Sequence, residues 1–403
     1  MNGLVLQGGG TKGSYHIGVW KALRELGEEI HAVTGTSIGA LNGVMIVQDK
    51  FEEIYNIWYD IEPSMLSEID DEMYKKIREL DLDSELFSSY IKYFKDVFNN
   101  RGLDITPFKK LVEREVDEEK VRNSKIDFGL VTVSLTDMEP IEVFVKDIPK
   151  GQLHEYLIAS ARLPIFKMER INGKIFIDGG FYDNQPIKLM LTKKGINKLI
   201  LVENRGLGMK QKVDLSRLEV IKIKPSGDVG RTLEITIERS RENLLMGYYD
   251  TLRVYREYAG KKYCIEPYDE KIILEYLYSM PENKINSLAE ILGFKKIKSK
   301  RQIFEQIMPE IANMLKLNKN ADYEELFTEM IEVASEYLMI NRYQIFTIRE
   351  LLDQIKQKLV ENEKEVFYDN QKLISKILKQ GNIAIGKHKN EIIVEIMSVL
   401  LVE

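Results

Sequence analysis

The chain has very little cysteine or histidine. Cys264 stands alone among 403 residues, which excludes an internal disulfide framework and a zinc site built on several thiolates. Four histidines, His16, His31, His154 and His388, leave little material for an imidazole metal cage. No apolar run approaches the roughly 18 residues that a membrane span requires. The start, Met1-Asn2-Gly3-Leu4-Val5-Leu6-Gln7, lacks both a basic segment and an apolar core of export-signal length. The expected location is the cytoplasm, with room for contact at the inner face of the membrane. Positive charge is not in excess either: 58 Lys and Arg against 64 Asp and Glu give a net charge of −6. No global basic field is there to attract nucleic acid. With 44% hydrophobic and 30% charged residues of mixed sign, the chain is not disordered. At about 150 residues per domain, its length suggests two or three domains.

Glycine is unevenly spread. Only Gly293, Gly381 and Gly386 lie beyond Gly260. Glycine gathers where strands turn sharply into helices, so the expected division is an α/β domain over residues 1–265 and an all-helical region over 266–403. In the first part, strand patterns at residues 3–7, 30–34, 126–135, 141–145, 174–177, 199–202 and 220–223 alternate with helix patterns at 14–26, 38–48, 153–161 and 186–193. Asn184 is the expected cap of the last helix, with Pro186 in its first turn. Such alternation predicts a three-layer α/β/α architecture with a mostly parallel sheet. In the second part, helices are expected at 299–317, 348–360, 369–379 and 390–402. Another opens at Asp322 with Glu325 three residues later.

Three motifs carry chemistry. Gly8-Gly9-Gly10-Thr11-Lys12-Gly13 lies between a strand and a helix. Its glycine spacing fits a dinucleotide loop, but no acidic residue follows at the end of the second strand. It is not a P-loop, because Lys12 precedes the last glycine. A nucleotide phosphate, another anion or a tight turn all remain open for it. Gly35-Thr36-Ser37-Ile38-Gly39 has the nucleophile-elbow pattern: a turn too sharp for flanking side chains, with a serine hydroxyl left projecting. The helix that follows brings its positive end and the Ile38 amide to any negative charge formed there. Ile177-Asp178-Gly179-Gly180 ends an apolar strand, where α/β sheets place their sites.

A serine nucleophile needs a base. Only His388 follows Asp178, and it sits between two lysines; His16, His31 and His154 read as surface or interface residues. Asp178 is left as the base of a Ser–Asp dyad.

Taken together in this order and spacing, these motifs resemble the patatin-like phospholipases. The resemblance extends to Ser14-Tyr15-His16-Ile17-Gly18-Val19 and to Ala159-Ser160-Ala161-Arg162-Leu163-Pro164, and covers roughly residues 3–205. It implies a three-layer fold, Ser37 as nucleophile, Asp178 as base and hydrolysis of lipid acyl esters. It also implies an oxyanion hole from the amides of Gly8, Gly9, Gly10 and Thr11 beside that of Ile38. Gly13, Gly35, Gly39, Gly179 and Gly180 are the motif glycines. The family usually has arginine where this chain has Lys12, which keeps the charge without the planar fork. No cofactor and no metal are called for. The expected partners are phospholipid, lysophospholipid or related ester substrates and, transiently, a membrane surface; a homo-oligomer is compatible with the sequence.

The alternatives are an acyltransferase using the same acyl-enzyme, a nucleotide-binding protein and an idle scaffold. Two segments bear on lipid contact. Leu86, Phe87, Tyr90, Ile91, Phe94, Val97 and Phe98 form an amphipathic stripe, read as a core helix or a lid. Residues 295–301, Lys-Lys-Ile-Lys-Ser-Lys-Arg, hold five cations, a solvated loop or a headgroup contact.

Overall fold

The computed structural model describes residues 1–67, 103–297, 299–362 and 388–402. The aromatic stripe, the helix expected at 369–379 and Lys298 lie outside them. The chain divides into two compact units, Met1–Val254 and Tyr255–Glu403.

The first unit is built on a sheet of seven strands: β1 (Asn2–Leu6), β2 (Ala32–Thr36), β3 (Asp127–Ser134), β4 (Glu139–Phe144), β5 (Phe176–Asp178), β6 (Lys198–Val202) and β7 (Glu219–Ile223). Their order is β4-β3-β2-β1-β6-β7, with β5 paired to β3. Pairings from β3 through β2, β1 and β6 to β7 are parallel, whereas β4 and β5 run antiparallel to β3. The helices of this unit are α1 (Ser14–Glu25), α2 (Ile38–Val47), α3 (Phe51–Tyr59), α4 (Thr106–Glu115), α5 (Glu118–Arg122), α6 (Leu153–Ser160), α7 (Ile187–Thr192) and α8 (Ile237–Tyr255). Residues alternate across the pleat, so β1 presents Leu6 to α2 and Val5 to α7. Burial on both faces explains the apolar runs of the central strands β1, β3 and β6.

The helix expected at 186–193 starts one residue late, capped by Pro186 rather than Asn184. Asn184 is occupied elsewhere: its side-chain amide donates to Gly8 O and Gly206 O, both at 3.3 Å. Helix α8 escaped the sequence reading. It crosses α1 at close range, because Gly18 and Gly247 bring the backbones together. A Cβ at Gly18 would stand 2.0 Å from Leu244 O, and one at Gly247 2.1 Å from Tyr15 O.

The second unit contains β8 (Cys264–Ile265), α9 (Glu270–Ser279), α10 (Glu282–Ile291), α11 (Met308–Leu315), α12 (Tyr323–Tyr337), β9 (Ile345–Phe346), α13 (Ile348–Asn362) and α14 (Lys389–Leu401). One apolar core gathers side chains from Tyr263 to Leu400. Asp322 caps α12 by accepting from Glu325 N–H at 2.8 Å, as its spacing predicts. The helix expected at 299–317 is interrupted: Ile303–Ile307 form a π turn before α11 begins. Pro309 lacks the N–H that an unbroken α-helix would direct at residue 305, and the wider turn absorbs the defect. Lys316, in the left-handed conformation at φ 58°, ends α11. β8 and β9 add a short parallel pairing that the helical pattern had not indicated.

Candidate active site

Strand β3 assembles the site. Its Val131 is paired with Thr36, at the end of β2, and its next residue, Thr132, is paired with Asp178, at the end of β5. Ser37 directly follows Thr36. Two elements far apart in sequence therefore deliver the serine and the carboxylate to adjacent register positions on one strand.

Ser37 sits at φ 57° and ψ −126°, the strained backbone of a nucleophile elbow. The glycines around it are required by space: a Cβ at Gly35 would lie 2.3 Å from Gly39 O, and one at Gly39 would lie 2.3 Å from Leu6 O. Ser160 pins the elbow. Its hydroxyl accepts from Ser37 N–H at 3.0 Å and donates to Val131 O at 2.7 Å. Two residues on, Arg162 O accepts from Asp178 N–H at 2.8 Å. One short segment thus holds both Ser37 and Asp178, a role that its sequence did not show.

Asp178 is buried. Its Oδ1 accepts from Gly180 N–H at 2.7 Å, while Oδ2 has no well-formed hydrogen bond. Burial pushes its pKa up to about 6, against the opposing pull of the nearby Ser37 hydroxyl and of Gly180 N–H. A carboxylate so placed is a stronger base than an ordinary aspartate, and its open oxygen faces a shortage of donors. Asp183, five residues on, is also pushed up to about 6 by burial. Its Oδ1 accepts from Gln185 N–H, and its carbonyl accepts from the Thr36 hydroxyl at 2.7 Å.

The glycine loop contributes fewer donors than its sequence suggests. Gly8 N–H donates to Asn184 O, and Thr11 N–H to Thr232 O, both at 3.0 Å. Those two amides, expected to face an oxyanion, are already engaged by carbonyls. The amides of Gly9, Gly10 and Ile38 have no partner among the described residues. Gly10, at φ 58°, also has no room for a side chain, since a Cβ would meet Thr232 O at 2.2 Å. Buried Lys12 donates from Nζ to Arg205 O at 3.2 Å, tying the loop to the segment after β6. Gln7 and Asn204 hold the same segment: Gln7 Nε2 donates to Gly206 O, and Asn204 N–H donates to Gln7 Oε1.

No histidine ring hydrogen-bonds Ser37 or Asp178 among the described residues. His31 Nδ1 accepts from Asn2 N–H, His154 Nε2 lies 2.8 Å from Val116 O, and His388 lies 3.7 Å from Glu391. His16 departs from the surface role expected of it. It is fully buried, with Nδ1 toward the Asn42 amide, and desolvation lowers its pKa to about 3, so it stays neutral. Among the described residues no group of three or more His, Cys, Asp or Glu is placed to hold a metal, and no helix is long and apolar enough to cross a membrane.

An apolar cavity of about 80 Å³ has Ile38, the residue after Ser37, in its wall. It runs between α2, α3 and α4, lined by Leu41, Met45, Ile57, Trp58, Phe108 and Leu111.

Residues 4–191 match the family model described as Patatin-like phospholipase. Lysophospholipase NTE1 of Eremothecium gossypii is 25% identical over 209 residues, which are 50% of this chain and 12% of that protein. Patatin-like phospholipase domain-containing protein 6 of Homo sapiens is 26% identical over 220 residues, 53% of this chain and 14% of that protein. The chain thus spans only a small part of the length of these curated relatives. Among solved structures, VipD from Legionella pneumophila is similar at 14% identity and a TM-score of 0.39, over 99% of this chain and 91% of that one.

Proposed function

We propose, with the patatin-like phospholipase domain of residues 4–191 as premise, that this chain is a cytoplasmic serine hydrolase of lipid acyl esters working through Ser37 and Asp178. The observation that carries the reading is the pairing on β3, which sets the elbow serine next to a dry carboxylate with an open oxygen. In this scheme the Ser37 hydroxyl attacks the ester carbonyl while Asp178 takes its proton. The oxyanion is held by the amides of Gly9, Gly10 and Ile38. The protonated Asp178 returns the proton to the leaving alcohol, and an acyl group remains on Ser37. Water then attacks the acyl-enzyme by the same route and releases a fatty acid. The apolar cavity with Ile38 in its wall is a fitting receptacle for the acyl chain.

The names of the relatives favour lysophospholipids among the esters. An acyltransferase would share every step up to the acyl-enzyme, and analysis of products with an added acceptor alcohol separates the two. For surface contact, the basic run offers less free charge than its sequence suggests. Lys296 pairs with Glu290 and Arg301 with Glu305, both at 2.7 Å, and Lys300 donates to Tyr278 O. Lys295 has no side-chain partner among the described residues. The test of the dyad is direct. Ser37→Ala should lower kcat/KM for a soluble short-chain ester at least a thousandfold with an unchanged circular dichroism spectrum. Retention of a tenth of the activity would contradict it.

A further inference from the structure

The second unit contains a larger cavity, of about 440 Å³, among α9, α12, α13 and α14. That size falls within the range of small-molecule sites, roughly 300–1,000 Å³. Its floor is apolar, made of Ile273, Phe327, Ile331, Leu352, Met397 and Leu400. Its rim is not. Arg349, Asp353 and Lys356 stand on one face of α13 at spacings of four and three residues, exposed at the mouth. None of the three forms an ion pair or side-chain hydrogen bond among the described residues. Other cations of the same unit do pair: Lys261 with Glu329, Lys262 with Glu336 and Arg301 with Glu305. With two cations against one carboxylate, the mouth carries a net positive charge next to a dry apolar interior.

An apolar floor under an unpaired cationic rim matches one chemistry, a long acyl chain ending in an anionic head. We propose that this cavity binds a single-chain lipid, its chain among Phe327, Ile331 and Met397 and its carboxylate or phosphate at Arg349 and Lys356. The inference rests on the residues of the second unit and does not depend on the assignment of Ser37.

The test is calorimetric titration of the full chain with oleate below its aggregation concentration, and in a parallel arm with oleoyl lysophosphatidic acid, whose head is a free phosphate. Which arm binds more tightly tells a fatty acid from a lysophospholipid; binding in neither overturns the proposal. Arg349→Glu combined with Lys356→Glu changes exposed positions only; the like-charge contacts it creates with Asp353 are weak, and an unchanged circular dichroism spectrum checks the fold. This variant should bind the preferred lipid at least tenfold more weakly, and oleyl alcohol should bind wild type and variant alike. Hydrolysis of a soluble short-chain ester should be the same in both proteins. Lipid binding of unchanged affinity and stoichiometry in the double variant overturns the proposal, since any chain held elsewhere ignores this rim. If no protein hydrolyses the ester while the titrations behave as stated, the hydrolase reading fails and this one stands.

Discussion

Asp178 has the single most informative ionisation in the molecule. With its pKa at about 6, it is a base above that pH and an acid below it. The expected kcat/KM of the free enzyme therefore falls about tenfold per pH unit below 6. Asp183 titrates in the same range, so the profile must be repeated in Asp183→Asn; an unchanged inflection assigns it to Asp178. The same shift makes a stability prediction. Above pH 6 both folded and unfolded states are ionised, and the folded state bears a buried charge costing roughly 3 kcal/mol. Below pH 4 both states are protonated and the difference vanishes. Asp178→Asn should thus abolish activity yet raise stability by about 1–3 kcal/mol in urea unfolding at pH 7, and raise it little at pH 4. Ser160 makes a second prediction. Ser160→Ala leaves Ser37 N–H without its acceptor and should destabilise by about 1–3 kcal/mol. It should also lower kcat about tenfold or more while KM changes little, because the elbow tilts but the acyl cavity stays intact. The residues Ser37 and Asp178 were legible in the sequence because an elbow and a strand end impose glycines beside them. Ser160, Asn184 and Thr232 were not, since their partners lie 123, 176 and 221 residues away. Whether an amide is free depends on those distant carbonyls, which is why Gly8 and Thr11 could not be told from Gly9 and Gly10.

At the scale of elements, the strands were read to within two residues of their ends, the central ones because burial on both faces leaves them short of charge, the outer β4 and β7 although each carries exposed charge. Helix α8 was missed because its buried side carries Ser240, Asn243, Gly247, Asp250 and Thr251 among few large apolar residues. It packs through small groups and hydrogen bonds, such as Tyr15 Oη donating to Asp250 at 3.0 Å, and periodicity of hydrophobes cannot show that. In the proposed scheme the cavity between α2, α3 and α4 holds the acyl chain and sets a length limit. Leu111→Trp should fill part of it, lowering long-chain hydrolysis about tenfold with little change on a two- or four-carbon ester. An unaltered chain-length profile, measured over a series of nitrophenyl esters, would move the acyl site elsewhere.

For the whole molecule, the first unit answered to its motifs and the second only to its helical period. A helix pattern gives length and apolar face, but cavities and unpaired rims arise from how four helices meet, and no local signal encodes that. Lipid contact at this scale is tested on the basic run. Replacing Lys295, Lys296 and Lys298 with Gln should reduce sedimentation with anionic vesicles at low salt by tenfold or more, at about 1 kcal/mol per cation, and leave soluble-ester hydrolysis unchanged. Equal binding to neutral and anionic vesicles would remove the electrostatic contribution. Hydrolysis through the proposed dyad requires an activated serine at position 37, and one measurement reaches it most directly. Treatment with a fluorophosphonate, digestion and mass mapping should find one stoichiometric adduct, on Ser37, formed at least a hundredfold more slowly in Asp178→Asn. An adduct on a different serine, or none on a protein that still hydrolyses esters, would contradict the dyad.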